Sequence, residues 1–208
     1  MTLEAMSQAT TQNNAGRGDR VARTREAIVS STLTLALEGE IAPIVRDIAK
    51  LAGVSARTVF QHFADTAELY MAVLGRVFST MGDEAPEINH QSPLDQRITA
   101  VVDHRAMRCE KVRPMWTFIE TLQRRSAEAA EKIRQLYSGH RNQLADSFRP
   151  ELSALSNDKR EHTLNALSLT LSPEGWNMLR DRLGLTSEQA KEEWRFVARS
   201  IFGNDIHR

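Results

Sequence analysis

Residues 45–63, VRDIAKLAGVSARTVFQHF, hold the strongest structural signal in the chain. They divide into two short helices around a tight turn. Ile48, Ala49 and Ala52 share one face of the first helix, and Val59 meets them from the second. Gly53 stands at the break, where a residue without Cβ takes up left-handed backbone most easily. Ser55 occupies the N-cap position ahead of Ala56–His62. The small Ala49 lets the two helices approach closely and cross steeply. The pattern predicts a helix-turn-helix, the arrangement whose second helix enters the major groove of DNA.

Working outward, Asp19 to Glu38 reads as a helix with Ile28, Thr32, Leu35 and Ala36 on one face and Gly39 as its stop. Residues 1–18 are rich in Thr, Gln, Asn, Ala and Gly, and their composition predicts a disordered tail. After the motif, Asp65 caps a helix from Thr66 to about Thr80, with Leu69, Tyr70, Val73, Leu74 and Val77 at helical spacing. The stretch from Met81 to Gln91 breaks the pattern with Gly82, Pro86 and Asn89. Beyond it, Ser92-Pro93 and Ser172-Pro173 are helix starts, Thr186-Ser187-Glu188-Gln189 is a capping box, and Gly184 ends the helix before it. Helices are expected near 93–111, 114–124, 127–148, 158–171, 173–183 and 187–202. No strand alternation competes, so the expected fold is all-α.

Over residues 44–74, IVRDIAKLAGVSARTVFQHFADTAELYMAVL resembles the TetR family of bacterial transcription regulators. Asp47-Ile48-Ala49, Ala52-Gly53-Val54-Ser55, Thr58, His62-Phe63 and Leu69 all keep the family register. The resemblance implies an N-terminal three-helix DNA-binding domain and a C-terminal helical domain for effector binding and dimerisation, with boundaries expected at 19–65 and 66–208. It also implies a homodimer on a pseudo-palindromic double-stranded operator, usually as a repressor, released by a small-molecule effector. Three positions depart from the pattern: Phe60 replaces a frequent Tyr, Val45 a frequent Thr, and Thr66 the usual Lys. Each change removes a phosphate donor.

On the second helix of the motif, Arg57, Thr58, Phe60, Gln61 and His62 lie on or near the exposed sides. Arg pairs bidentately with guanine, Gln with adenine, and a Thr methyl meets a thymine methyl. Arg46 matches a position from which some family members reach a base, and His62 the usual phosphate contact. Ser55 can donate to the DNA backbone. The bland alternative for each is a solvated side chain. Charge adds little. Lys and Arg together number 27, as do Asp and Glu, and residues 17–63 hold seven basic against five acidic groups.

In the C-terminal half, Leu94, Ile98, Val101, Val102, Cys109 and Val112 form an apolar stripe with Arg105 in its middle. A cation there must snorkel, pair with a carboxylate or face an anionic ligand. His140 lies in the stripe of Ile133, Leu136, Tyr137, Leu144 and Phe148. Arg105, Cys109, Trp116, Tyr137 and His140 are therefore the candidate effector contacts, against a plain core role. Leu164, Leu167 and Leu171 share one helix face with Leu169 opposite, and Ala190, Trp194, Val197, Ala198 and Ile201 repeat at seam spacing. Both helices can pack on their own domain and meet a twin subunit.

The single Cys109 excludes an internal disulfide framework and multi-cysteine metal sites, and fits a reducing cytoplasm. No signal peptide or membrane span is apparent. The six histidines form no metal-ligand pair, and no catalytic motif or cofactor loop is present, so neither an enzyme nor a cofactor is expected. The competing class is a helical ligand-binding or catalytic protein whose helix-turn-helix hairpin is only structural.

Overall fold

The computed structural model describes the backbone of residues 3–81 and 88–206, and side chains within 18–79 and 88–203. Every regular element among them is helical, and none is long and apolar enough to cross a membrane. The chain divides into two compact units, residues 1–80 with 117–129, and residues 81–116 with 130–208.

The first unit begins with α1, Leu3–Leu37. Residues 3–18, expected as a tail, continue this helix instead. Propagation adds one hydrogen bond per residue once 19–37 is helical, and this outweighs the weak propensities of Asn13, Asn14, Gly16 and Gly18. The helix is followed by Gly39 at φ 98. Helix α2 (Val45–Leu51) and α3 (Ala56–His62) pack on each other and on α1. Ile28, Thr32, Ile48, Val59 and Phe63 are all buried. Helix α4 (Thr66–Met81) is tied to α1 by the Arg76–Glu26 ion pair at 2.5 Å. Helix α6 (Trp116–Arg125) contributes Phe118, whose ring meets Tyr70 edge-on at 5.2 Å. The predicted break at Gly82 and Pro86 lies outside the described residues.

The second unit holds α5 (Leu94–Val112), most of α7 (Ala127–Ser147), α8 (Arg149–Ser153), α9 (Asn157–Thr170), α10 (Pro173–Asn177) and α11 (Ser187–Ile206). One apolar core joins them, and the rings of Trp176 and Trp194 lie 4.6 Å apart within it. The capping chemistry at 186–189 forms in both directions: Gln189 N–H donates to Thr186 Oγ1 at 3.2 Å, and Thr186 N–H to Gln189 Oε1 at 2.8 Å. Ser172 Oγ accepts from Gly175 N–H at 3.0 Å. Pro93, not Ser92, is the N-cap of α5, and the Ser92 carbonyl accepts from buried Arg97.

Two further elements depart from the expected helices, and one break falls where it was expected. Pro150 opens α8 as a separate short helix after α7. The expected helix 173–183 is instead α10 followed by a π-helical turn over Met178–Arg182. A 3₁₀ turn at Arg113–Met115, containing Pro114, separates α5 from α6.

Candidate functional site

Helix α3 is set by its own ends. Ser55 Oγ accepts from Thr58 N–H at 3.0 Å, and the two hydroxyls share a second bond at 2.9 Å. Gly53, at φ 67, provides the turn that brings Val59 against α2. The Arg25 guanidinium lies 4.5 Å above the Phe63 ring and closes the underside. The other face is open. Arg57 and Gln61 are exposed with no hydrogen bond or ion pair among the described residues, and Phe60 is 53% exposed beside them. His62 is half-buried at the end of the helix. Arg46 donates from Nε to Asp47 Oδ1 at 3.1 Å, an exposed pair that water competes with easily. Thr58 is half-buried and engaged with Ser55, so it offers less than Arg57 or Gln61.

A capping pair sets the start of α4. Glu68 N–H donates to Asp65 Oδ1 at 2.8 Å, and Ala64 N–H to Glu68 Oε2 at 2.7 Å. Tyr70 Oη donates to the Pro43 carbonyl at 2.7 Å and fixes the loop that leads into α2. Thr66 lines a cavity of about 120 Å³ with Ile41, Tyr70, Phe118 and Arg125.

The second unit gathers polar groups inside an apolar core. Arg105 is 7% exposed, and its Nε donates at 2.6 Å to the carbonyl of Leu171, the C-cap of α9. No ion pair reaches Arg105 among the described residues. Both ring nitrogens of His140 are buried without a hydrogen-bond partner, as is Nε2 of His104. The Tyr137 ring lies 6.4 Å from that of His140, and its hydroxyl donates to Glu174 at 2.6 Å. Burial, reinforced by Arg105, Arg108 and His104, pushes the His140 imidazole down to about 3. Burial likewise lowers His104 and raises the Tyr137 phenol, whose bond to Glu174 adds to the effect. Cys109 is pushed up to about 12 by burial, which leaves it an inert thiol packed with the core. Trp116 is half-buried at the start of α6, and no hydrogen bond or ring contact joins it to this cluster.

Residues 28–73 match the model of "Bacterial regulatory proteins, tetR family". Over those residues the chain is similar to the DNA-binding part of the tetR family. Comparison with curated protein sequences gives no match. Among solved structures, a transcriptional regulator from Rhodococcus sp. Rha1 is similar at 16% identity and a TM-score of 0.68, covering 86% of this chain and 96% of its own. A tetR-family transcriptional regulator from Streptomyces coelicolor is similar at 17% identity and a TM-score of 0.65, covering 86% and 78%. A fatty acid degradation regulator, FadR, from Bacillus halodurans is similar at 14% identity and a TM-score of 0.53, covering 84% and 93%. These likenesses show a shared all-α fold.

Within the matched stretch, Phe60 stands where the resemblance places a frequent Tyr, and it presents a bare ring to solvent. Val45, at the start of α2, is half-buried. The sequence singled out Arg105, Tyr137 and His140, and the structure sets His104, Arg108 and Glu174 near them, none of which it had singled out. The first two carried a usable signal, since they flank Arg105 at one and three residues on the same helix. Glu174 carried none, because its approach to Tyr137 depends on tertiary packing.

Proposed function

We propose that this chain is a TetR-type transcriptional regulator that binds a pseudo-palindromic operator as a homodimer and acts as a repressor. The observation that carries the reading is α3: a capped helix with Val59 buried, whose Arg57, Phe60 and Gln61 are exposed, with no hydrogen bond or ion pair to Arg57 or Gln61 among the described residues. Exposed Arg and Gln at that spacing have the donor geometry for guanine and adenine edges in the major groove. Two copies place their α3 helices one turn of DNA apart, about 34–36 Å. Arg46, Ser55, Thr58 and His62 support the contact from the rim, chiefly toward phosphates. A small molecule bound in the second unit favours a dimer geometry that misfits the operator, and DNA weakens that molecule reciprocally.

Selection of bound sequences from random DNA by the purified full-length protein tests the reading. A two-fold symmetric consensus is expected. Retention of random DNA with no consensus leaves a non-specific binder, and no retention leaves the helix-turn-helix as structure alone.

A further inference from the structure

We propose that the Arg105, His140 and His104 cluster of the second unit is an anion subsite that holds the carboxylate of an amphipathic organic acid. The proposal deepens the effector reading above and rests on it. Burying an uncompensated charge costs several kcal/mol, so a core guanidinium without a carboxylate demands a reason. The Leu171 carbonyl satisfies only Nε. Nη1 and Nη2 keep their donors with no partner among the described residues, and that planar fork is the shape that grips a carboxylate bidentately. The imidazole of His140 adds a second reason. Buried polar atoms are nearly always paired, yet both of its nitrogens are orphaned, and Nε2 of neighbouring His104 is a third orphan. A neutral imidazole donates one N–H to an anion at no cost of charge.

A purely structural account explains part of this. Arg105 at the C-cap of α9 meets the negative end of a helix, which favours a cation. That role uses one N–H and leaves the fork and both histidines unexplained. Glu174, bonded to Tyr137 in the same neighbourhood, disfavours a dianion more than a monoanion, so a carboxylate fits better than a phosphate. Apolar Leu171 and Cys109 flank the cluster, which matches an acid with an apolar body.

The test is calorimetric titration of the full-length protein with benzoate, octanoate and inorganic phosphate, alongside melting curves. At least one carboxylate is expected to bind and phosphate not to. Arg105→Met should weaken that carboxylate by about tenfold or more, as loss of a charged hydrogen bond does. His140→Phe removes orphaned nitrogens, so it should fold at least as well as the wild type while also weakening the acid. It keeps the test decisive if Arg105→Met does not fold. No carboxylate binding by the wild type, or unchanged binding in His140→Phe, overturns the subsite, and preferential binding of phosphate overturns the carboxylate assignment. A carboxylate that binds through these residues but leaves affinity for the selected DNA unchanged supports the subsite and removes the effector role.

Discussion

Arg57 and Arg105 show how differently one side chain is used. Arg57 is exposed with no partner among the described residues, so Arg57→Ala should leave stability within about 0.5 kcal/mol. If it reads a base, the same change costs about 1–3 kcal/mol on the selected site and much less on random DNA. Titration against both DNAs decides, and equal losses reassign Arg57 to phosphate. Arg105 sits in the core beside His140, whose burial, with Arg105, Arg108 and His104, depresses its pKa from 6.5 to about 3. Between those values the unfolded chain binds the extra proton, so stability falls as pH drops through that window and is flat in this term above it. His104 shifts in the same direction. Melting temperatures at about pH 7 and about pH 5 should therefore differ more in the wild type than in His140→Phe, because the variant lacks this proton uptake. An equal difference in both proteins means that His140 is not neutral in the fold.

At the scale of elements, the corner between α9 and α10 leaves no room for a side chain at Gly175. A Cβ on Gly175 would lie 2.4 Å from the Thr170 carbonyl oxygen, a backbone atom that cannot swing aside. Gly175→Ala should thus cost about 1–3 kcal/mol, like other overpacking changes. Gly53→Ala meets no atom and is limited to the left-handed backbone cost of about 1–2 kcal/mol. Denaturant titration ranks the two, and a Gly175→Ala as stable as wild type means the corner opens freely. Such contrasts explain what could be read in advance. The caps at Ser55, Asp65, Ser172 and Thr186 follow from residues three apart, and the pattern of neighbours reveals them. The Arg97–Glu151 ion pair joins residues 54 apart, and the Arg105 bond to Leu171 joins residues 66 apart. Their partners exist only once the helices pack. The π turn after α10 was hidden too, since propensity alone favours a continuous helix through 173–183.

At the scale of the whole molecule, the second unit buries one face of α9 and α11 and leaves one large apolar side chain among polar neighbours on the outer face of each. Leu164, Leu167 and Leu171 of α9, and Ala190, Trp194, Ala198 and Phe202 of α11, lie in its own core. Leu169 is 74% exposed and Phe196 65%, each opposite the buried line of its helix. Ile201, expected at the seam, packs instead against that core, and Val197 is half-buried. Charge should therefore act differently at the two places. Leu169→Glu with Phe196→Glu alters solvent-facing positions of the monomer, which surface changes rarely destabilise by more than about 0.5 kcal/mol. In a dimer formed on that face the same charges are buried without partners. The double variant should sediment as a folded monomer, with an unchanged melting profile at low concentration and weakened operator binding, because one half-site then binds alone. Ile201→Glu should unfold the unit before it separates subunits. Sedimentation of wild type and both variants at micromolar concentration tests the arrangement. A monomeric wild type, or an intact dimer in the double variant, moves the interface away from α9 and α11.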